Sequence, residues 1–193
     1  MDPGAPEQPT PVAGLTPQEQ KGLNLTDIQA VIESAKTRGG MEGLERFIQR
    51  RLPEAEEAEV AEAAEVALEI IESIPIFLAR ARQEAAQRAL KSVVGPLLDH
   101  AETYFLQPVD LIPEMTQGLA GLLDDSYLVI RILENLDKGP EPFLDWDLQH
   151  PLTFLRTLVG LEISRKLDLI AAEAMEQVST HLNELWARMS HRA

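Results

Sequence analysis

The sequence predicts an all-α fold, on three observations. Apolar residues recur every three or four positions through most of the chain, the spacing that lines one face of a helix. Helix-starting and helix-stopping residues punctuate that pattern at intervals that suit a bundle. No run of alternating β-branched residues is followed by a hairpin turn, so strand signals are missing throughout. Together these describe a single-domain helical bundle with a long C-terminal helix behind a disordered N-terminal tail.

The tail is residues 1–15, where Pro3, Pro6, Pro9 and Pro11 sit among small and polar residues. Such a stretch stays extended and solvated. Residues 16–193 form the helical domain. Thr16-Pro17-Gln18-Glu19 combines a capping residue, a proline at the first helical position and a glutamate at the third, so a short helix starts there and stops near Gly22. Thr26 with Gln29 repeats the capping pattern, and Ile28, Val31, Ile32 and Ala35 follow on one face until Gly39-Gly40. Leu44, Phe47, Ile48 and Leu52 make a second short helix that Pro53 ends.

Between Glu54 and Ser73 stand eight glutamates and no base, interleaved with alanines. Both are strong helix formers, with Val60, Ala64, Ala67, Ile71 and Ile74 as the buried stripe and the glutamates as a solvated face. Pro75 must kink this helix or start a new one, because it has no N–H to give the preceding turn. Helix then continues through Phe77, Leu78, Ala81 and Leu90 to Gly95-Pro96, and again through Leu97, Leu98, Ala101 and Phe105 to Gln107-Pro108. A turn at 109–114 enters a short apolar helix. Another helix, from about Asp125 to Leu136, puts Leu128, Ile132 and Leu136 on one face. A loop follows over 137–142.

The last helix starts near His150-Pro151. Its apolar face passes through Leu155, Val159, Ile163, Leu167, Ile170, Ala174, Val178, Leu182, Leu185 and Met189. Residues 151–189 would span about 58 Å if straight, at ~1.5 Å per residue. A domain of this size is only about 40 Å across. The helix must therefore break, with Gly160 the natural place, or project apolar residues that need cover.

Charge excludes some functions. The chain carries 32 acidic and 17 basic residues, a net charge of −15, and both halves are acidic. A field of this sign repels phosphates, so nucleic acid is not an expected partner. Arg80, Arg82, Arg88 and Lys91 form a local exception, read as a solvated helix face. The chain has no cysteine, hence no disulfide, thiolate nucleophile or Cys-ligated metal. The N-terminus does not read as a secretory signal, and no apolar run is long enough for a transmembrane helix. A soluble, cytoplasmic protein is the expectation.

Residues 101–133 read AETYFLQPVDLIPEMTQGLAGLLDDSYLVIRIL. With Tyr104 and Phe105 at a helix end, Pro108, Asp110, Leu111, Ile112, Pro113 and Glu114 as P-x-D-L-I-P-[DE], and Gly121, Asp124 and Asp125 closing the segment, it resembles the YkvA-like family of helical domains. The match covers about a sixth of the chain and departs where many members have Asp at the position of Glu114. The resemblance implies a helical domain of mostly bacterial distribution and no established activity.

Four carboxylates in that segment, Asp110, Glu114, Asp124 and Asp125, are the candidates for a Mg²⁺ or Ca²⁺ site, since hard cations take several oxygen ligands. The simpler reading makes them helix caps: Asp110 and Asp124 as N-caps, and Asp125 favourable to the dipole of the following helix. Gly121 would permit a positive φ. Asp145, Asp147 and His150 allow the same two readings, ligands or a loop capping the last helix. The glycines form no phosphate-binding loop and no serine sits in a G-x-S-x-G elbow. Trp146 and Trp186 read as core or interface anchors. The expected function is thus a non-enzymatic interaction module that meets a protein partner or a second copy through the C-terminal helix, with no cofactor. A divalent-metal enzyme or sensor is the alternative. Peripheral membrane attachment through 104–123 is disfavoured by that segment's acidity.

Overall fold

A computed structural model describes residues 25–107, 118–138 and 143–190, with the side chains of 181, 182 and 185–190 excepted. The expectations for the tail, for the helix after Thr16 and for Pro108, Asp110 and Glu114 lie outside the described residues. Those described form seven α-helices and one 3₁₀ turn, with no strand among them. The helices are α1 (Leu25–Thr37), α2 (Gly40–Arg51), α3 (Glu57–Gln87), α4 (Lys91–Leu106), α5 (Leu123–Asp137), α6 (Gln149–Val159) and α7 (Leu161–Ser190); the 3₁₀ turn is Leu119–Leu122. The all-α bundle expected from periodicity is the fold observed.

The first two helices lie where the apolar spacing puts them, burying Ile28, Ile32 and Ala35, then Leu44, Phe47 and Ile48. Thr26 is already inside α1 rather than its cap. Gly39 (φ 135°) and Gly40 (φ 51°) turn the chain between the two.

Helix α3 buries Val60, Ala64, Ala67, Ile71, Ile74, Leu78, Ala81 and Ala85, alternating steps of four and three. That is the a/d seam of a coiled coil, and its alanines let neighbouring helices approach closely. The glutamates Glu57, Glu62, Glu65, Glu69 and Glu72 face outward, as read from sequence. Pro75 starts no new helix. It sits buried inside a continuous α3, where the packed seam on both sides outweighs one lost backbone bond.

The true break comes thirteen residues after Pro75, at Arg88–Leu90 rather than Gly95-Pro96. The Leu90 N–H reaches the Ala85 carbonyl at 2.8 Å and the Ala89 N–H reaches Ala86 at 3.2 Å. This is a Schellman motif, in which the residue of left-handed conformation is Ala89, φ 55°. Gly95 and Pro96 lie within α4. Ser92 and Pro96 are exposed there, so water can replace the donor that proline lacks.

Helix α5 is the centre of the bundle. It packs against α3, α4, α6, α7 and the 3₁₀ turn. Of its fifteen residues twelve are buried, so it shows the core no single stripe. The helix expected to start near His150 does break at Gly160 (φ 87°, ψ 160°), giving α6 and α7. Leu155, Val159, Leu167 and Val178 of the expected stripe are buried. No described helix is long and apolar enough to cross a membrane.

Candidate functional site

Of the four carboxylates in the 101–133 segment, Asp124 and Asp125 are described. Both lie in the first turn of α5 and both are buried. Neither is the N-cap. The 3₁₀ turn runs straight into α5, the flanking residue is Leu122 with no side-chain bond, and helical backbone upstream supplies the carbonyls an N-cap would. Asp124 Oδ1 instead accepts the Asp125 N–H at 3.1 Å. The positive φ falls on Gly118 (70°), and Gly121 sits inside the 3₁₀ turn.

Asp147 behaves as a capping group from two residues before the start of α6. Its Oδ1 accepts the Gln149 N–H at 2.9 Å and its Oδ2 lies 2.5 Å from His150 Nδ1. The contact with His150, and then the Gln149 N–H, hold its carboxyl below the usual carboxylate range. Among the described residues, no group of three or more His, Asp and Glu is placed to hold a metal ion.

Arg80 and Arg82 of α3, and Arg88 just after it, are engaged by acids of this chain. Arg80 meets Glu84 at 2.9 Å and Arg88 meets the same carboxylate at 3.4 Å. Arg82 reaches across to α4, 2.6 Å from Asp99 and 2.7 Å from Glu102. The guanidiniums of Arg88 and Arg51 also lie over the rings of Phe143 and Phe47. Trp146 packs on Phe77, centroids 5.0 Å apart, and stays partly exposed.

What sequence reading missed is a polar seam joining α5, α6 and α7. Tyr127 is fully buried, yet its hydroxyl donates to Asp168 Oδ1 at 2.8 Å and accepts from Arg156 Nη2 and Nε at 2.7 and 3.2 Å. Arg156 Nη2 also lies 3.2 Å from Asp168 Oδ2. Arg131 Nε is 3.0 Å from Asp168 Oδ1, an ion-pair contact, although its N–H is not aimed well enough for a hydrogen bond. Arg131 continues to Glu134 at 2.6 Å, which Gln149 and Lys138 also meet, at 2.5 and 3.1 Å. Tyr127 and Asp168 are 41 positions apart, so no local pattern announces them.

Chemically the seam is closed. The Tyr127 proton and lone pairs are committed to Asp168 and Arg156, and Asp168 lies between two guanidiniums. Nothing in that arrangement is set to activate a nucleophile or take a substrate's proton; it fixes α7 against α5 and α6. A depression of about 520 Å³ opens elsewhere, at the α2–α3 connection, lined by Arg51, Leu52, Pro53, Glu54, Ala55 and Glu59. Its walls bring no nucleophile and base together.

Burial, and then the bond to Asp168, push the Tyr127 hydroxyl above its usual range, while Arg156 pulls the other way. A group whose pKa is raised by folding stabilises the fold below its unfolded pKa and loses that contribution as pH climbs through the folded one. Stability should therefore fall above about pH 10. Tyr127→Phe should remove that alkaline loss and cost about 1–3 kcal/mol at neutral pH, because Arg156 and Asp168 lose a buried partner. Urea unfolding of both proteins at pH 7 and pH 10.5 measures each effect. A parallel alkaline decline in the two would remove Tyr127 as its source.

Comparison with protein families, with curated proteins and with solved structures finds no match.

Proposed function

We propose that this protein is a non-enzymatic helical interaction module whose partner, another protein or a second copy, is engaged through α7. The observation that carries the reading is the length of that helix. It holds 30 residues, about 45 Å. Val178 is the last buried residue among its described side chains, leaving twelve further helical residues, about 18 Å. In sequence, Leu182, Leu185 and Met189 continue the apolar stripe along that stretch. Leu161 and Leu169 on the same helix are 57% and 66% exposed. The internal pairing of the α3 arginines supports a partner other than nucleic acid. The YkvA-like resemblance of 101–133, a bacterial origin and a cytoplasmic address complete the proposal.

A photo-crosslinking residue at Leu185, compared with one at Gln83 on the exposed side of α3, tests it. Covalent capture of a protein partner or a second copy is expected at 185 and not at 83. Equal capture at both positions, or none at 185, would remove the reading.

A further inference from the structure

Helices α6 and α7 are joined by one residue, Gly160, whose φ of 87° and ψ of 160° fall in a region that only glycine adopts readily. A Cβ placed there would meet only Arg51 Nη1, at an ordinary 3.8 Å. The bend thus depends on the backbone freedom of glycine and not on a lack of room.

The buried faces on the two sides of the bend differ: Leu152, Leu155, Leu158 and Val159 before it, and Ser164, Leu167, Ala171 and Val178 after it. At about 100° per residue a straight helix would set those two faces roughly 140° apart. One straight helix over 149–190 would be about 63 Å long, so its two buried faces could not both lie on a single domain about 40 Å across. Helix reaches Gly160 from both sides, so the bend rests on that one residue.

The contacts that hold α7 to α4 and α5 lie beyond the hinge, among them those of Leu167, Ala171 and Val178 in the core and of Asp168 against Tyr127 and Arg131. A second copy's α7 can make all of them with the same residues. Exchange of an identical element preserves the contacts and changes only the connection, which is why it is a low-cost route to dimers.

We propose that Gly160 is a hinge at which α6 and α7 merge into one helix, releasing α7 to occupy the α4–α5 face of a second copy of this chain, which gives its own α7 in return. The proposal shares with the functional reading above only the role of α7 in partnering, and names the partner as a second copy. It concerns the proximal half of α7, so capture at position 185 can fail while the exchange occurs, and the reverse. A net charge of −15 on each copy opposes the encounter, so salt favours the exchanged dimer.

The test uses the full chain and Gly160→Ala, each with spin labels on cysteines introduced at the exposed positions Thr153 and Glu173, in a chain with no cysteine of its own. Light scattering reads mass in low salt and in about 0.5 M salt. Electron–electron distances, with labelled chain diluted into unlabelled, read geometry within one chain. Gly160→Ala strains the bend and favours the straight helix, so its dimer dissociation constant should fall at least roughly tenfold. The intrachain distance in that dimer should be about 30 Å, the straight-helix value, against a shorter one in the monomer. A variant that stays monomeric and melts earlier, or dimerises with the short distance kept, overturns the proposal. Should Gly160→Ala fail to fold, the wild type at high concentration and salt decides: a dimer with the 30 Å distance supports the hinge, and a monomer or a dimer with the short distance refutes it.

Discussion

Arg82→Met should cost about 3–5 kcal/mol of folding stability, the penalty for separating one partner from a buried ion pair. Glu102 on α4 is 1% exposed, and its carboxylate takes the Arg82 Nε hydrogen at 2.8 Å. Methionine keeps an apolar stem of similar length but removes the guanidinium, so the loss reports charge and not volume. Asp99 meets the same guanidinium from a position 60% exposed, where solvent screens the pair. Asp99→Asn should accordingly cost no more than about 1 kcal/mol. Adding Glu102→Leu to Arg82→Met should restore much of the loss, because two apolar residues replace a desolvated pair. Urea midpoints of the three variants decide the matter. A loss below 1 kcal/mol for Arg82→Met would show that the bridge does little to hold α3 on α4.

Gly118→Ala is expected to be similarly damaging, at about 3 kcal/mol, for a different reason. Its φ of 70° and ψ of −156° belong to the glycine-only region, a cost of about 1–3 kcal/mol for any other residue. A Cβ there would also stand 3.2 Å from the Arg38 carbonyl and 3.6 Å from that of Ala35, both backbone atoms that cannot swing aside. The 3₁₀ turn would have to back away from the end of α1. Gly43→Ala is the control: it lies inside α2 with nothing within 4 Å of the added carbon, so it should stabilise by about 0.5–1 kcal/mol. Opposite shifts in melting temperature are expected, down by roughly 6–12 °C for Gly118→Ala and up by a few degrees for Gly43→Ala. A neutral Gly118→Ala would mean that the 3₁₀ turn packs more loosely than its distances indicate.

How much of this was legible depended on distance along the chain. The stripes of α1, α2 and α3 could be read because each helix has one buried face and a polar remainder. The break at Gly160 could be read because a continuous helix was longer than the domain. The corner at Arg88–Leu90 could not, since the Schellman motif places an alanine where glycine normally signals the stop. Pro75 and Pro96 misled in the opposite sense: packing on both sides held the helix through one, and solvent access tolerated the other. The interior of α5 was hidden by Asp124, Asp125, Ser126 and Glu134, polar letters on a helix that neighbours surround. As for the candidate site, the carboxylates were singled out by type, but their place in the first turn of α5 depends on where the 3₁₀ turn ends. The Tyr127 seam depends on three helices meeting, which no window of sequence contains.

The central position of α5 has a consequence for the order in which the chain is made. When Asp137 leaves the ribosome, helices α1 to α4 are already available to it, but α6 and α7 are not. The faces of α5 that they cover stay open until about 40 more residues, up to Val178, have emerged. At about 5–20 residues per second that is a delay of roughly 2–8 s. During that interval the nascent chain presents an apolar helix with an incomplete shell, a natural substrate for a chaperone at the exit tunnel.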